Sequence, residues 1–359
     1  MSLTVKGLNG DTTFLLTFSP PFAPTTSPEL FPGSFTILVD PWISGPAKIL
    51  SPKFSISEHT NVPCIMNLAD LPEPDIILIS QDKPDHCHEE TLRQLPPNNN
   101  SLIIGTPAAA KKIRGWNYFD PSNIEALSKF DEKKPDTVFR LTIPPFSPSG
   151  SPGELTVALL PTKFDITGLH NAIGITYRPP SSVLTASVRN YISLPPTPPA
   201  SPNSRSGISA TPRAVLRSPL THREKTLSIV YSPHGASYGV VRPYATSHLV
   251  AEAALPLTAL VHSFDRVQNP WVLGGNVSYG FPGGVEIARN LLPQVWIGAH
   301  DEDKDNRGFS VMKVKTAKFS VYDITTMLRG GEDGIGHKIC PNTLVVTLAA
   351  GDEFRIDAT

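Results

Sequence analysis

Residues 76–95 constrain the fold more than any other stretch of the chain. They begin with four consecutive aliphatic residues, IILI, and continue into a polar segment that contains Asp85 and His86. An apolar run of this length predicts a short strand that other layers cover on both faces. Two leucines three residues apart after the polar segment indicate a helix. A loop between a buried strand and a helix holds its side chains at a sheet edge, where carboxylates and imidazoles can bind a metal ion.

The pattern of a strand that ends in a histidine-bearing loop occurs twice more. The strand predicted at 227–231 runs into His234, and the strand predicted at 295–298 runs into His300. This recurrence is the strongest internal indication of a shared site.

Helical and strand patterns alternate along the rest of the chain. Helices are predicted at 107–114, with proline in the first turn, and at 283–292. Alternation of this kind favours an α/β architecture over an all-β sandwich. The remaining predicted strands lie at 13–18, 35–39, 102–105, 137–143, 155–160, 173–177, 257–262, 343–348 and 354–356.

Residues 179–225 interrupt this pattern. They are rich in Pro, Ser, Thr and Arg and have almost no apolar clusters. Such a segment cannot bury enough apolar surface to offset its chain entropy, so most of it is predicted to be disordered. Because strand-like sequence resumes at once at Leu227, the segment is interpreted as an insertion within a single domain that spans residues 1–359.

The composition excludes several classes of protein. A net charge of −1 over 359 residues argues against a broad nucleic-acid footprint and against an anionic-membrane surface. No apolar run is long enough to span a membrane, and the N-terminus lacks the features of a signal peptide. An odd number of cysteines, three, argues against a disulfide framework and favours a reducing, cytoplasmic location.

Five segments together resemble the metallo-β-lactamase fold superfamily. Within it, the chain is most similar to the lactonase-like and phospholipase-D-like proteins of the second β-lactamase domain type. The resemblance implies a four-layer αββα sandwich with a metal site at the shared edge of two sheets. In chain order the segments are ILVDPWISG at 37–45, IILISQDKPDHCHEETL at 76–92, IVYSPHG at 229–235, VWIGAHDED at 295–303 and LAAGDEFRI at 348–356.

The chain departs from the hallmark of that superfamily, His-x-His-x-Asp-His. Gln81 and Lys83 stand in the places of the two leading histidines, and a lysine ammonium has no lone pair for a cation. A third histidine is expected after the strand at 155–160, where Lys163 stands instead, with His170 further along. The resemblance therefore implies that the first of the family's two metal sites is lost.

The second metal site of the family is better preserved. The resemblance implies ligands at Asp85, His86, His234 and His300, with His234 in the place of a bridging aspartate. Three imidazoles and a carboxylate suit one zinc ion, with iron and manganese as alternatives and a metal-free protein as the remaining option. Asp85 and Lys83 are the candidate catalytic residues, and Lys83 would replace missing charge or bind an anionic group of the substrate.

Neighbouring residues have supporting or structural interpretations. Asp301 is predicted to orient His300. Asp40 is predicted either to hydrogen-bond to a metal ligand or to have a structural role only. His88 is predicted to lie in a solvated first turn of a helix. Cys87 is a ligand, a reactive thiol or, on the simplest interpretation, a small packed residue.

Two functions of different classes remain open. In the first, the protein is a metal-dependent hydrolase with one metal ion, acting on an ester, lactone or phosphodiester in a small-molecule or lipid-like substrate. In the second, it is a catalytically silent relative that keeps the fold as a binding or scaffolding module. The first predicts a stoichiometric metal, and the second predicts none.

Overall fold

The computed structural model describes residues 1–358 except 21–22, 147, 149, 164, 166, 181–224, 271–274, 331–339 and 341. Nearly all of the predicted insertion, 179–225, therefore lies outside the described residues. No helix among the described residues combines the length and the apolar character needed to cross a bilayer.

The described residues form strands and a smaller number of helices. The helices are α1 Glu89–Leu92, α2 Pro107–Gly115, α3 Tyr238–Tyr244, α4 Phe281–Leu291 and α5 Val321–Leu328, and a π-helical turn, Ala245–Leu249, continues α3. The strands are β1 Ser2–Gly7, β2 Phe14–Ser19, β3 Phe35–Val39, β4 Ala47–Ile49, β5 Ser55–Glu58, β6 Ile76–Ile79, β7 Leu102–Gly105, β8 Ile124–Ala126, β9 Phe139–Ile143, β10 Gly153–Leu160, β11 Ala172–Arg178, β12 Leu227–Ser232, β13 Ala259–His262, β14 Arg266–Gln268, β15 Asn276–Ser278, β16 Val295–Ile297, β17 Asp305–Arg307, β18 Lys315–Ala317, β19 Leu344–Val346 and β20 Glu353–Asp357.

Two seven-stranded sheets make up most of the molecule. The first has the order β20-β1-β2-β3-β6-β7-β8, and the second has the order β19-β16-β13-β12-β11-β10-β9. In the first sheet β3, β6, β7 and β8 run parallel to one another. In the second sheet β12, β13, β16 and β19 do the same. Each sheet therefore has one edge at which the carboxyl ends of four parallel strands, and the loops that follow them, lie together.

The core explains why some strands are apolar at every position. In β6, Ile76 and Leu78 pack between the two sheets, whereas Ile77 and Ile79 pack against the helices that cover the outer face. The outer face of the second sheet is covered in the same way, with Trp296 of β16 buried under α4. Side chains alternate between the faces of a strand, so a strand covered on both sides must be apolar throughout. The four-layer αββα sandwich predicted from the sequence is confirmed.

The strands on either side of the predicted insertion are direct neighbours. β11 ends at Arg178 and β12 begins at Leu227, and the two pair antiparallel with Ile175 opposite Ile229. Two three-stranded sheets, β15-β14-β18 and β17-β5-β4, lie outside the sandwich, and sequence patterns did not predict them.

Candidate metal centre

The candidate metal centre is built from loops that follow four parallel strands. Asp40 follows β3, Asp85 and His86 follow β6, His234 follows β12 and His300 follows β16. The first two strands belong to one sheet and the last two to the other, and the core between the sheets brings both edges together. The loops contain residues with left-handed backbone conformations, with φ of 43° at Asp40 and 65° at His300. Non-glycine residues adopt this conformation at an energetic cost, which the surrounding contacts must offset.

The four predicted ligands come together at one place. One ligand atom from each of Asp85, His86, His234 and His300 lies within 4.8 Å of the others. The Nε2 atoms of His86 and His234 are 3.0 Å apart. Oδ2 of Asp85 is 3.9 Å from Nε2 of His86 and 3.8 Å from Nε2 of His300. Two donor atoms bound to one zinc ion are separated by at most about twice the metal–ligand distance, or roughly 4 Å. Only a small contraction of the group is therefore needed for all four to contact one ion.

Asp40 fixes the orientation of His86 from inside the protein. Its Oδ2 atom accepts hydrogen bonds from His86 Nδ1 at 2.8 Å, Ser80 Oγ at 2.5 Å and Tyr231 OH at 2.7 Å. Its Oδ1 atom accepts one from the backbone N–H of Ser80 at 2.7 Å. Because Nδ1 of His86 donates to the carboxylate, the Nε2 lone pair faces the other three ligand candidates. Tyr231 belongs to β12, so this carboxylate also connects the two sheets.

Asp11 and Lys304 surround the far side of His300. Nδ1 of His300 lies 3.2 Å from Oδ2 of Asp11 and 2.9 Å from Nζ of Lys304, and Lys304 is itself 2.6 Å from Asp11. The backbone N–H of His300 donates to the carbonyl of Asp11 at 3.1 Å. When Nδ1 donates to Asp11, Nε2 of His300 presents its lone pair to the centre. The sequence did not indicate either Asp11 or Lys304.

Burial and charge shift the pKa values of the group in different directions. Burial opposes protonation of His86, but the carboxylates of Asp85 and Asp40 outweigh it and raise the pKa of its imidazole. Burial, together with the neighbouring rings of His300 and His86, holds the pKa of His234 well below its usual range. Burial opposes ionisation of Asp85, but His86 and His300 outweigh it and lower the pKa of its carboxyl. The centre therefore favours an ionised Asp85 and a neutral His234, the states in which these two groups bind a metal, whereas His86 must give up a proton to bind one.

The donor set fits a divalent cation. Nδ1 of His234 is buried and has no hydrogen-bond partner among the described residues. The 3.0 Å contact between Nε2 of His86 and Nε2 of His234 has the length of an N–H···N hydrogen bond. Imidazole nitrogens and carboxylate oxygens are both ligands that zinc takes in proteins. Asp40 supplies the carboxylate behind a ligand histidine that such sites usually contain.

The residues at which the resemblance implies the first metal site make hydrogen bonds and an ion pair with protein groups instead. Gln81 is buried and its Nε2 donates to the carbonyl of Leu169 at 3.0 Å. Lys83 is half-buried, with Nζ 3.2 Å from Oδ1 of Asp82. Nε2 of His170 lies 2.9 Å from the carbonyl of Asn276, so that ring is held by backbone. Among the described residues, no group of His, Cys, Asp and Glu side chains that could hold a metal includes His170.

A second group of metal-binding side chains lies next to the first. Ligand atoms of Asp11, His59 and Glu302 lie within 4.8 Å of one another. Nδ1 of His59 is already 2.5 Å from Oε2 of Glu302, and Lys304 is already paired with Asp11. The side chains of this group are therefore already in contact with one another and with the lysine.

Two predictions about neighbouring residues need correction, and the simplest interpretation of a third residue, Cys87, agrees with the structure. Asp301 does not orient His300, because its carboxylate accepts the backbone N–H groups of Phe264 and Asp265 at 2.9 Å, and Asp11 contacts His300 instead. His88 is buried rather than solvated, and its Nδ1 accepts the N–H of Thr91 as the cap of α1. Cys87 is packed in the core below the first sheet, and burial raises the pKa of its thiol to about 12. Cys87 is therefore the packed residue of the simplest interpretation.

A cleft of about 370 Å³ opens beside the centre. Asp85, His234, His300 and Lys83 line its polar end. The two small outer sheets and the segments that follow them form its walls, which are largely apolar. These wall residues include Ile49, Phe54, Val267, Val277, Val311 and Val314.

A family model described as the beta-lactamase superfamily domain matches residues 30–142. This segment contains β3 to β8 and three residues of the centre, Asp40, Asp85 and His86. Residues 30–142 therefore match a beta-lactamase superfamily domain. The match agrees with the resemblance seen at 37–45 and 76–92, and the lactonase-like or phospholipase-D-like branch stays a prediction.

Three solved structures are similar to this chain. Igni18, described as a novel metallo hydrolase from Ignicoccus hospitalis, is 10% identical, with 100% of each chain covered and a TM-score of 0.48. An isothiocyanate hydrolase from Delia radicum gut bacteria is 13% identical, with 99% of this chain and 98% of that chain covered and a TM-score of 0.49. The metallo-beta-lactamase fold protein YhfI from Bacillus subtilis is 10% identical, with 99% and 98% covered and a TM-score of 0.42. A comparison with curated protein sequences finds no match.

Proposed function

We propose that the protein is a hydrolase that uses one divalent metal ion to cleave an ester, lactone or phosphodiester. The observation that carries this proposal is the convergence of Asp85, His86, His234 and His300 beside an open cleft. Zinc is the metal that the ligand set favours, and iron and manganese are the alternatives. When bound, the ion supplies Lewis acidity, which polarises a carbonyl or phosphoryl oxygen and favours ionisation of a water molecule.

The protein's own residues provide orientation and proton transfer. Asp40 accepts a hydrogen bond from Nδ1 of His86, so that Nε2 of this ring keeps its lone pair for an ion, and Asp11 contacts Nδ1 of His300. Asp85 lines the cleft and is ionised near neutral pH, because its neighbours lower its pKa. Its carboxylate is therefore able to accept a proton from an attacking water or to hold that water in position.

Lys83 is the candidate for binding substrate charge. Its side chain lines the same cleft as Asp85 and His234, and about a third of it is exposed. An ammonium at this place attracts a phosphodiester or the negative charge that develops on an ester oxygen. Replacement of Lys83 by methionine should therefore reduce kcat/KM without removing the metal, because Lys83 has no lone pair for a cation.

The walls of the cleft support a substrate with an apolar part. Valine, isoleucine and phenylalanine side chains supply apolar surface to the lining of the cleft. A cleft of this size takes a small molecule or one end of a lipid-like molecule, with the cleavable bond at the polar end. The odd number of cysteines, three, supports a cytoplasmic location, which we include in the proposal.

One metal ion rather than two is proposed because the other position lacks ligands. Gln81 and Lys83 occupy the places where the resemblance expects histidines. The positive charge of Lys83 also opposes a second cation at short range. Two-metal sites hold ions about 3.5–4 Å apart and need ligands for both.

A reconstitution assay tests this proposal. The chelator-treated protein is supplied with zinc, iron(II) or manganese(II) and incubated with chromogenic esters, lactones and phosphodiesters. Metal-dependent hydrolysis of at least one class is expected, and His234→Ala should abolish it. His248→Ala is the matched control, since His248 is a buried histidine that contacts Thr156 at 2.9 Å rather than the centre.

Two outcomes of this assay would contradict the proposal. The first is hydrolysis that survives in His234→Ala, because the activity would then belong to another site or to a contaminant. The second is a folded protein that takes up no metal and cleaves none of the three substrate classes. That result would favour the silent binding or scaffolding module.

A further inference from the structure

Large apolar side chains are exposed around the mouth of the cleft. Leu50 is 89% exposed, Met312 78%, Phe309 62% and Ile49 39%. We call these four residues the apolar rim. These residues lie in two segments of the chain, 49–54 and 308–312, and both segments also line the cleft, through Ile49 and Val311. Contiguous exposed apolar side chains at a binding site usually mark a surface that contacts something else.

Backbone hydrogen bonds hold the two segments of the apolar rim side by side. The N–H of Phe309 donates to the carbonyl of Lys53 at 3.0 Å, and the N–H of Ser310 donates to the carbonyl of Phe54 at 2.9 Å. Gly308 permits this close approach, because a Cβ atom there would lie 2.6 Å from the carbonyl oxygen of Phe54. The segments 49–54 and 308–312 therefore form one connected surface rather than two separate loops.

Exposed lysines flank the apolar rim on both segments. Lys48 precedes Ile49, Lys53 follows in the same turn, and Lys313 follows Met312, and all three are exposed. Of the carboxylates in the described residues, none lies within ion-pair distance of these three ammonium groups. Their charges are therefore available to a partner.

The acidic residues nearby are already neutralised. Arg307 pairs with Glu58 at 2.9 Å and with Asp305 at 3.3 Å, on the ladder between β5 and β17. Asp303 pairs with Lys318. The net charge of −1 for the whole chain excludes a broad cationic face, but it does not cancel three unpaired lysines grouped around one patch.

We propose that the apolar rim docks on an anionic phospholipid surface. Apolar side chains would enter the headgroup region while Lys48, Lys53 and Lys313 contact the lipid phosphates. This combination of inserted apolar residues and flanking cations is the physical basis of peripheral membrane binding. The mouth of the cleft would then face the lipid, so an amphiphilic molecule could pass from the membrane into the cleft. The docking goes beyond the proposed hydrolysis and does not depend on a metal.

Vesicle flotation with the full chain tests the docking. The protein is mixed with vesicles of phosphatidylcholine alone or of phosphatidylcholine with phosphatidylserine, at low and at physiological ionic strength. Binding to the anionic vesicles is expected, with weaker binding at higher salt. The double variant Lys53→Glu/Lys313→Glu should bind these vesicles at least about tenfold more weakly, since each lysine near the surface contributes about 1 kcal/mol.

Matched apolar variants distinguish binding through the apolar rim from nonspecific binding through other exposed apolar residues. Leu50→Ser/Met312→Ser should lose vesicle binding. Val250→Ser should keep it, because Val250 is an exposed apolar residue that directly follows the π-helical turn and does not belong to the rim. Melting temperatures of all variants are measured, and because the substituted residues are exposed they are expected to stay unchanged.

Several outcomes would overturn the docking proposal. Absence of binding to anionic vesicles would do so, as would equal binding to the neutral vesicles. A concentration-dependent dimer that Leu50→Ser/Met312→Ser abolishes, without any vesicle binding by the native chain, would show that a second copy covers the rim instead.

Discussion

Replacement of Asp40 by asparagine tests whether the buried carboxylate prepares His86 to bind a metal. Three donors converge on Oδ2 of Asp40, from His86, Ser80 and Tyr231. In Asp40→Asn an NH₂ group replaces that oxygen if Oδ1 keeps its bond from the N–H of Ser80. The two hydroxyls can rotate to accept from the amide, but His86 must then accept through Nδ1 and carry its proton on Nε2. That tautomer has no lone pair for the ion.

The magnitude of the effect follows from these contacts. Loss of the carboxylate behind a ligand histidine lowers metal affinity by about 10- to 100-fold, which is about 1.4–2.8 kcal/mol at 1.4 kcal/mol per tenfold. Folding stability should change separately. Three charge-assisted hydrogen bonds become neutral ones, each weaker by about 1 kcal/mol, and relief of the buried charge offsets part of this loss. The variant should therefore be less stable by about 1–3 kcal/mol.

Zinc competition with a chromophoric chelator measures the affinity, and urea unfolding of the metal-free protein measures the stability. Asp75→Asn is the matched control, because Asp75 accepts the N–H and the hydroxyl of Thr36 at 2.7 and 3.0 Å, at the other end of β3 and β6. This control should keep native zinc affinity. If Asp40→Asn also binds zinc with native affinity while it remains folded, the carboxylate does not prepare the ligand and the reasoning is wrong.

Three further predictions concern packing, thiol reactivity and domain organisation. Gly284→Ala should lower the free energy of unfolding by about 1–3 kcal/mol, since an added Cβ would lie 2.1 Å from Trp296, whereas Gly115→Ala meets no atom within 4 Å and should not destabilise in the same urea titration. A thiol reagent at neutral pH should modify the exposed Cys64 faster than the buried Cys87. Burial raises the pKa of Cys87 to about 12, so its thiol should stay unmodified until the protein unfolds. Rapid labelling of the folded Cys64→Ser variant would contradict this prediction. We propose that residues 1–359 form one domain with an insertion at 179–225. Brief trypsin treatment should therefore cut within the insertion and leave two fragments that co-elute in gel filtration. Fragments that separate as folded units would contradict the proposal.

Sequence patterns could indicate the four candidate ligands because these residues share a recognisable local pattern. Asp85, His86, His234 and His300 each follow a short apolar run, and buried strands of this kind are apolar at every position. Strand ends can be located from such runs alone. The central strands and the layers of the sandwich were predictable for the same reason.

The residues that support the ligands carried no such pattern. Asp11 and Lys304 lie 293 positions apart, and only the pairing of the folded loops makes them neighbours. Tyr231 looks like any other strand residue, because its hydroxyl reaches Asp40 only after the two sheets have packed. Contacts between distant loops depend on the tertiary fold, which local periodicity does not specify.

The missed elements are short, exposed or interrupted. Strands β14, β17 and β18 have three residues each, and β17 and β18 are exposed throughout, so they show no alternation of apolar and polar residues. The helix α3 contains Pro243, which normally indicates a helix boundary, yet it continues into the π-helical turn Ala245–Leu249. Tertiary packing of Tyr244 and Leu249 against the second sheet outweighs that local preference.

The measurement that tests the central claim most directly is the number of metal ions per chain. The native protein is purified without chelators, equilibrated with excess zinc, passed through gel filtration and analysed by inductively coupled plasma mass spectrometry. The account predicts one zinc ion per native chain and none in His86→Ala. Two ions per chain would contradict the assignment of Gln81 and Lys83 to a lost site, and no ion at neutral pH would contradict the metal centre itself.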